Sequence, residues 1–302
     1  MAREVERLAD GFRFIECPRW HDGQLYFVDM CDDRIYRLGP GGEAEVFAEV
    51  PHPAGIGWTP EGDLLAVAAS ALELRRIRNG RVVQTTSLAG IGFATLNDMV
   101  VDAHGGAYVG GLGEGLAEGR LTHSPIAYVA PDGAVSVAAE GLAAANGMAI
   151  SPDGRSLVAA ETFAYRMSAF DIGSGGMLTN RRIWADFGGP ESLTMADALA
   201  NDRMIPDGIS AFDAEGALWV ADARGRGVLR MTEGGRELDR IAFDGETVIA
   251  AALGGRDGDE LYMMVSPPFS EIAALMAGTE RRTSVWRAKV DVPVASAAVI
   301  SD

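Results

Sequence analysis

Short apolar runs alternate with polar turns along this chain, and one signature recurs six times: a Gly or Asp turn, a short apolar strand, then small or acidic residues. The instances are "DGQLYFVDM" from Asp22, "EGDLLAVAA" from Glu61, "HGGAYVGG" from His104, "DGRSLVAAET" from Asp153, "EGALWVAD" from Glu215 and "DGDELYMMV" from Asp257. Their common positions Leu25, Leu64, Ala107, Leu157, Leu218 and Leu261 lie 39, 43, 50, 61 and 43 residues apart. That is the period of a four-stranded propeller blade, with two longer insertions. Between the repeats, runs such as "RIYRLGPGGEAEVFAEV" and "GVLRMTEGGRELDRIAF" break at Gly-containing turns, as hairpins do. An α/β alternation would need amphipathic helices between the strands, and only Glu191 to Leu199 and Ser270 to Ala277 read as helix. The pattern predicts an all-β fold, a six-bladed β-propeller, with residues 1–302 as one domain. An open ring would leave unpaired edges, so the chain ends are expected to share a blade, through the strand-like "EVERLAD" and "VASAAVI".

In a propeller the innermost strand of each blade starts near one mouth of the central channel, so a polar residue there points into a shared funnel. Upstream of the six repeats stand "IECPRW" with Glu16, "PAGIGW" with no ionisable group, "TLNDMVVD" with Asn97 and Asp98, "AANGMAIS" with Asn146, "IPDGISAFD" with Asp207, and "AALGGRD" with none near its start. Asp-Gly and Asn-Gly are ordinary turn formers one at a time. Their recurrence at equivalent points of the repeat, and the separate turn supplied by Glu215-Gly216, argue for a role at the mouth. Glu16, Asn146 and Asp207 together make a hard-oxygen set suited to a divalent cation.

Composition narrows the partners. A formal net charge of −17, with 26 Lys and Arg scattered among 43 Asp and Glu, argues against nucleic acid and favours cation uptake at a focused acidic site. Two cysteines, Cys17 and Cys31, are too few for a disulfide framework and read as free, partly buried thiols. No run approaches a bilayer span, and "MAREVERLADG" lacks the features of a secretory signal, so a cytoplasmic protein without membrane contact is expected. The serine-hydrolase elbow, the phosphate-cradling loop and the HExxH zinc motif are all missing. The expected partner is a small-molecule substrate; oligomeric state is left open.

The motifs "ECPRW", "LYFVD", "NDMVVDAHGGAYVG", "ANGMAISPDGRSLVAAET" and "PDGISAFDAEGALWVAD", in that order from about Glu16 to Ser266, resemble the SMP-30/gluconolactonase/LRE-like family, whose members are regucalcin-like proteins. The resemblance implies a six-bladed propeller with one divalent metal in the central channel and, commonly, hydrolysis of lactones. It places Glu16, Asn146 and Asp207 at the metal, with Asp207 also the proposed general base, and sets Asn97 against substrate or an intervening water. Thr95 stands where sugar-lactonase members often carry an Arg that holds substrate hydroxyls, and "AALGG" stands where "CxFGG" is common.

The reading is therefore a metal-dependent hydrolase that opens a small lactone by metal-activated water, with catalytic Asp207 and with Asn97, Thr95 and His123 toward substrate. His123 lies in the Gly-rich insertion "LGEGLAEGRLTHSPIAYV", placed to overhang the funnel. The second insertion, "GGPESLTMADALANDRMIPDG", offers Met195 and Met204 as adaptable apolar contacts. With "SPPFSEIAALM" it points to a pocket more apolar than a sugar requires. Ca2+ is the first choice of cation; Zn2+, Mg2+, Mn2+ and Fe2+ are the alternatives. Two other functions suit the same residues: a lyase, dehydratase or isomerase using the metal to stabilise an enolate, and a propeller that binds metal or protein without catalysis.

Overall fold

A computed structural model describes residues 3–39 and 41–296. Among them the strands form six four-stranded antiparallel sheets. The innermost strands are Ile15–His21, Pro53–Trp58, Phe93–Val101, Ala145–Ile150, Pro206–Ile209 and Thr247–Gly254. Each packs against the next, and the sixth returns to the first, so the sheets stand as six blades of a closed propeller around a central channel. The sequence repeat marks the second strand of every blade: Gln24–Asp29, Leu64–Ala68, Ala107–Gly113, Ser156–Glu161, Leu218–Asp222 and Glu260–Ser266. These strands read as nearly continuous apolar runs because both of their faces are covered by neighbouring blades. The core accordingly lies between the sheets, with Phe27, Tyr165, Phe170 and Trp219 at 2% exposure or less.

Ring closure uses one of the two expected ends. Val5–Phe12 pairs antiparallel with Thr283–Lys289 and becomes the outermost strand of the last blade. Its expected partner was "VASAAVI", residues 294–300. Val294 instead makes an isolated bridge with Asp213, and residues 297–300 lie outside the described residues. The strand that takes the place is "TSVWRAK", separated from its predecessor by the helix α2 (Phe269–Ala277). The other helix, α1 (Met195–Ala200), opens on a capping box in which Thr194 and Asp197 satisfy each other's backbone N–H groups. Both helices fall in the two segments that read as helical. Among the described residues no helix is long and apolar enough to cross a membrane.

Every innermost strand carries a register shift near its start: after Glu16, Pro53, Leu96, Ala145, Pro206 and Val248. A bulge of this kind bends the strand and re-aims the side chains it contains. Asn146-Gly147 and Asp207-Gly208 occupy such bulges, inside strands rather than at turns. Their glycines answer a packing need. A Cβ on Gly147 would stand 2.5 Å from the Ile209 nitrogen and 2.6 Å from the Asp207 oxygen, and one on Gly208 would meet the Ala250 Cα at 2.6 Å. Adjacent blades therefore touch backbone to backbone beside the polar residues. Gly147→Ala is expected to cost about 1–3 kcal/mol of stability through this overpacking, read as a lowered melting temperature in thermal denaturation; an unchanged melting temperature would mean the blades separate without cost.

Candidate functional site

Glu16, Asn146 and Asp207 are each the second residue of an innermost strand, in blades one, four and five. Antiparallel pairing puts the start of each innermost strand beside the end of the second strand, as in Ile15 with Asp29, Ala145 with Glu161 and Pro206 with Asp222. All three therefore open at the same mouth. Asn146 Nδ2 donates to Asp207 Oδ1 at 2.5 Å. Asp207 is only 8% exposed. Burial pushes its carboxyl up to about 7, with Asp98 and Asp222 adding to the rise and the Asn146 hydrogen bond opposing it. Burial also drives Glu16 well above the carboxylate range, and the charges of Asp207 and Asp98 push it further.

The donor chemistry fits a hard divalent cation. Neighbouring acids raise the cost of ionising both carboxylates, Asp207 and Asp98 at Glu16 and Asp98 and Asp222 at Asp207, and among the described residues neither forms an ion pair with Arg or Lys. A divalent ion accepting oxygen from both, and from the Asn146 amide, would remove that cost. His, Cys, Asp and Glu side chains alone make no three-membered ligand group among the described residues, so the set depends on the amide oxygen.

Beneath these residues lies a cluster that the sequence did not single out. Arg19 Nη2 donates to Asp98 Oδ1 and to the Met99 carbonyl, both at 2.8 Å. The buried Cys17 thiol donates to the same Asp98 oxygen at 3.1 Å, and the Met99 N–H does so at 2.7 Å. Burial pushes the Cys17 thiol well up, which makes it a packing and hydrogen-bonding group rather than a nucleophile. Cys31 is also free. Below the pair a cavity of about 350 Å³, lined by Arg19, Val101, Ile150 and Ala211 among others, runs toward the opposite mouth. Arg19 and Asp98 thus stand between the site and the lower channel. Their only clue in sequence was the polar pair within "ECPRW" and "TLNDM", and 79 residues separate them.

Asn97 sits in the bulge of the blade-three inner strand, half-buried, with Thr95 two residues before it. Thr95 Oγ1 donates to the Leu96 carbonyl at 3.3 Å. His123 is more than half exposed, and its Nε2 lies 2.8 Å from Glu191 Oε1. That contact joins the two insertions. Leu121 N–H also donates to the Leu193 carbonyl at 2.7 Å, and Arg120 bridges Thr194. One insertion follows the second strand of blade three and the other precedes the inner strand of blade five, so both rise on the mouth that carries Glu16, Asn146 and Asp207. Of the two methionines expected there, Met204 is buried and Met195 exposed. Arg224 extends the rim: its guanidinium donates to the Leu199 carbonyl at 2.8 Å and lies 5.8 Å from the Phe269 ring centre, linking α1 to α2.

Comparison with known proteins bears on this arrangement. Residues 14–266 match the family model described as SMP-30/Gluconolactonase/LRE-like region. Rabbit (Oryctolagus cuniculus) regucalcin is 26% identical over 256 residues, covering 82% of this chain and 81% of its own. Among solved structures, a calcium-binding regucalcin of Agrobacterium tumefaciens superposes with a TM-score of 0.74 at 18% identity, over 97% of both chains. A gluconolactonase of Xanthomonas campestris does so with a TM-score of 0.71 at 20% identity, over 96% of this chain and 89% of the other. At such identities the structural likeness establishes the fold.

Proposed function

The chain belongs to the SMP-30/gluconolactonase/LRE-like family, and from that membership we propose that it is a divalent-metal-dependent hydrolase of a small lactone. The observation that carries the proposal is the convergence of Glu16, Asn146 and Asp207 at one mouth, with Asp207 buried and neither acid in a direct ion pair with Arg or Lys among the described residues. These three would hold the cation, which supplies charge to polarise the ester carbonyl and to acidify a water. Ca2+ suits an all-oxygen donor set, and one family relative is described as calcium-binding.

The chain's own groups do the rest. Asp207, with its carboxylate in a poorly solvated pocket, takes the proton from the attacking water. Asn97, one blade away from Asn146, offers an amide to the substrate. Thr95 supplies a short hydroxyl where a longer cationic group would bind sugar hydroxyls, and the joined insertions with α2 wall the mouth with Leu121, Leu193 and Phe269. A lactone with an apolar substituent matches that wall better than a polyhydroxylated one. His123, held by Glu191, acts by fixing the insertions together.

Ring opening releases a proton, so a pH indicator reads it directly. Protein stripped with a chelator is expected to open lactones at least about 100-fold more slowly than the same protein reconstituted with Ca2+ or Mn2+. Equal rates before and after stripping would overturn the metal-dependent reading.

A further inference from the structure

The three blades that supply Glu16, Asn146 and Asp207 share a second feature: each ends its second strand on a fully buried acid. These are Asp29, Glu161 and Asp222, all 0% exposed. They pair across the blade with Ile15, Ala145 and Pro206, the residues immediately before the three oxygen donors. The other blades have no acid in this register. Ala68 faces Pro53, Gly111 faces Leu96 and Val265 faces Val248. Blade three is informative, because it carries Asn97 in its bulge and yet has Gly111 in place of an acid.

Each acid grips the backbone that leads into a donor. Asp29 accepts from the N–H groups of Arg13 at 2.9 Å and Phe14 at 3.1 Å. Glu161 accepts from Ala143 N–H at 3.1 Å, in addition to bonds from Arg166, Arg181 and Ser168. Asp222 accepts through Oδ1 from Ile205 N–H at 3.0 Å and Arg224 N–H at 2.9 Å. Arg13, Phe14, Ala143 and Ile205 stand two or three positions before Glu16, Asn146 and Asp207, while Arg224 belongs to the turn after Asp222. A buried carboxylate is a costly way to satisfy one or two backbone donors. The cost is plain at Asp222, whose Oδ2 has no hydrogen-bond partner and whose nearest guanidinium nitrogen, on Arg226, is 3.8 Å away. Close guanidinium groups offset the cost at Glu161 but not at Asp222, so stability alone does not explain why the acid recurs in these three blades and in no other.

We propose that Asp29, Glu161 and Asp222 are positioning residues, each clamping the backbone that enters an innermost strand and so fixing the direction of the oxygen donor that follows. The inference rests on reading Glu16, Asn146 and Asp207 as a cation site. The test is calorimetric titration of Ca2+ into chelator-stripped, full-length protein. Asp222→Ala and Asp29→Ala, in separate blades so that neither variant's folding decides the matter, are expected to bind Ca2+ 10–100-fold more weakly, roughly the loss that follows when a group orienting a ligand is removed. Asp222→Asn, whose side-chain oxygen still accepts from both N–H groups, is expected to recover most of the affinity. Asp213→Asn is the control. Asp213 is equally buried in the same blade but at the opposite end, bonded to Arg230 Nε at 2.6 Å, and its loss is expected to lower the melting temperature and leave Ca2+ affinity unchanged. Wild-type affinity in the folded alanine variants, or an equal loss in Asp213→Asn, would overturn the positioning role while leaving the cation site standing. Wild-type protein that binds no Ca2+ would overturn the cation site itself, and the positioning role with it.

Discussion

Asp207→Asn protein is expected to fold with a melting temperature at or slightly above that of the wild type and to open lactones about 10²–10⁴-fold more slowly, the range for losing a general base. The two halves of the expectation have separate physical grounds. Asn matches Asp in shape and can keep the contact with Asn146, so packing between blades four and five survives. Burial and neighbouring acids make the Asp207 carboxylate costly where it stands, so a neutral side chain removes an unfavourable group from the cation-free protein. A residue kept only for the fold would give the reverse pattern. Lactone hydrolysis within a fewfold of wild type in the folded variant would remove Asp207 as the base, and a large fall in melting temperature would show its carboxylate to be structural.

Glu161→Ala is expected to destabilise the protein by about 3–5 kcal/mol, the usual result of removing one partner of a buried charge network. Glu161 is fully buried and accepts from Arg166 Nε and Nη2 at 3.0 Å, from Arg181 Nη2 at 2.6 Å and from Ser168 Oγ at 2.5 Å. Burial alone would raise its carboxyl, but these bonds outweigh burial and hold it at about 2. A folded value below the unfolded one means that the contribution is complete above about pH 4.5 and is lost as pH falls toward 2. By the same reasoning it amounts to roughly 3 kcal/mol at neutral pH. Urea unfolding of wild type and variant at pH 7 and at pH 3 measures both effects. The stability gap between them is expected to narrow at the lower pH, and a gap that stays constant would mean the network carries no linked proton.

The blades were legible because their second strands repeat. Both faces of these strands are covered, so a continuous apolar run between turns is unavoidable, and it recurs at blade spacing. The placement of the candidate site was legible for a related reason: Glu16, Asn146 and Asp207 occupy the same point of the repeat, and the structure opens all three at one mouth. Asp207-Gly208 looked like a turn in isolation because Gly is ambiguous in sequence. Here it reflects the approach of the Ala250 backbone, which belongs to another blade. The closing strand was half legible. "EVERLAD" was identified, but α2 pushes "TSVWRAK" far beyond its repeat and left the later "VASAAVI" as the apparent partner. Arg19 and Asp98 were not legible as a pair, because an ion pair between blades leaves no periodic trace. The acid ending each donor blade was present in "LYFVD", "LVAAE" and "LWVAD", but its meaning depends on which backbone N–H it meets.

The most direct measurement is the anomalous difference density of a crystal soaked in Mn2+, recorded at a wavelength where Mn scatters anomalously. One strong peak is expected at the mouth, within coordination distance of oxygens from Glu16, Asn146 and Asp207, and it should vanish in Asp207→Ala crystals. A peak elsewhere on the molecule, or none in protein that still opens lactones, would contradict a catalytic cation at this mouth.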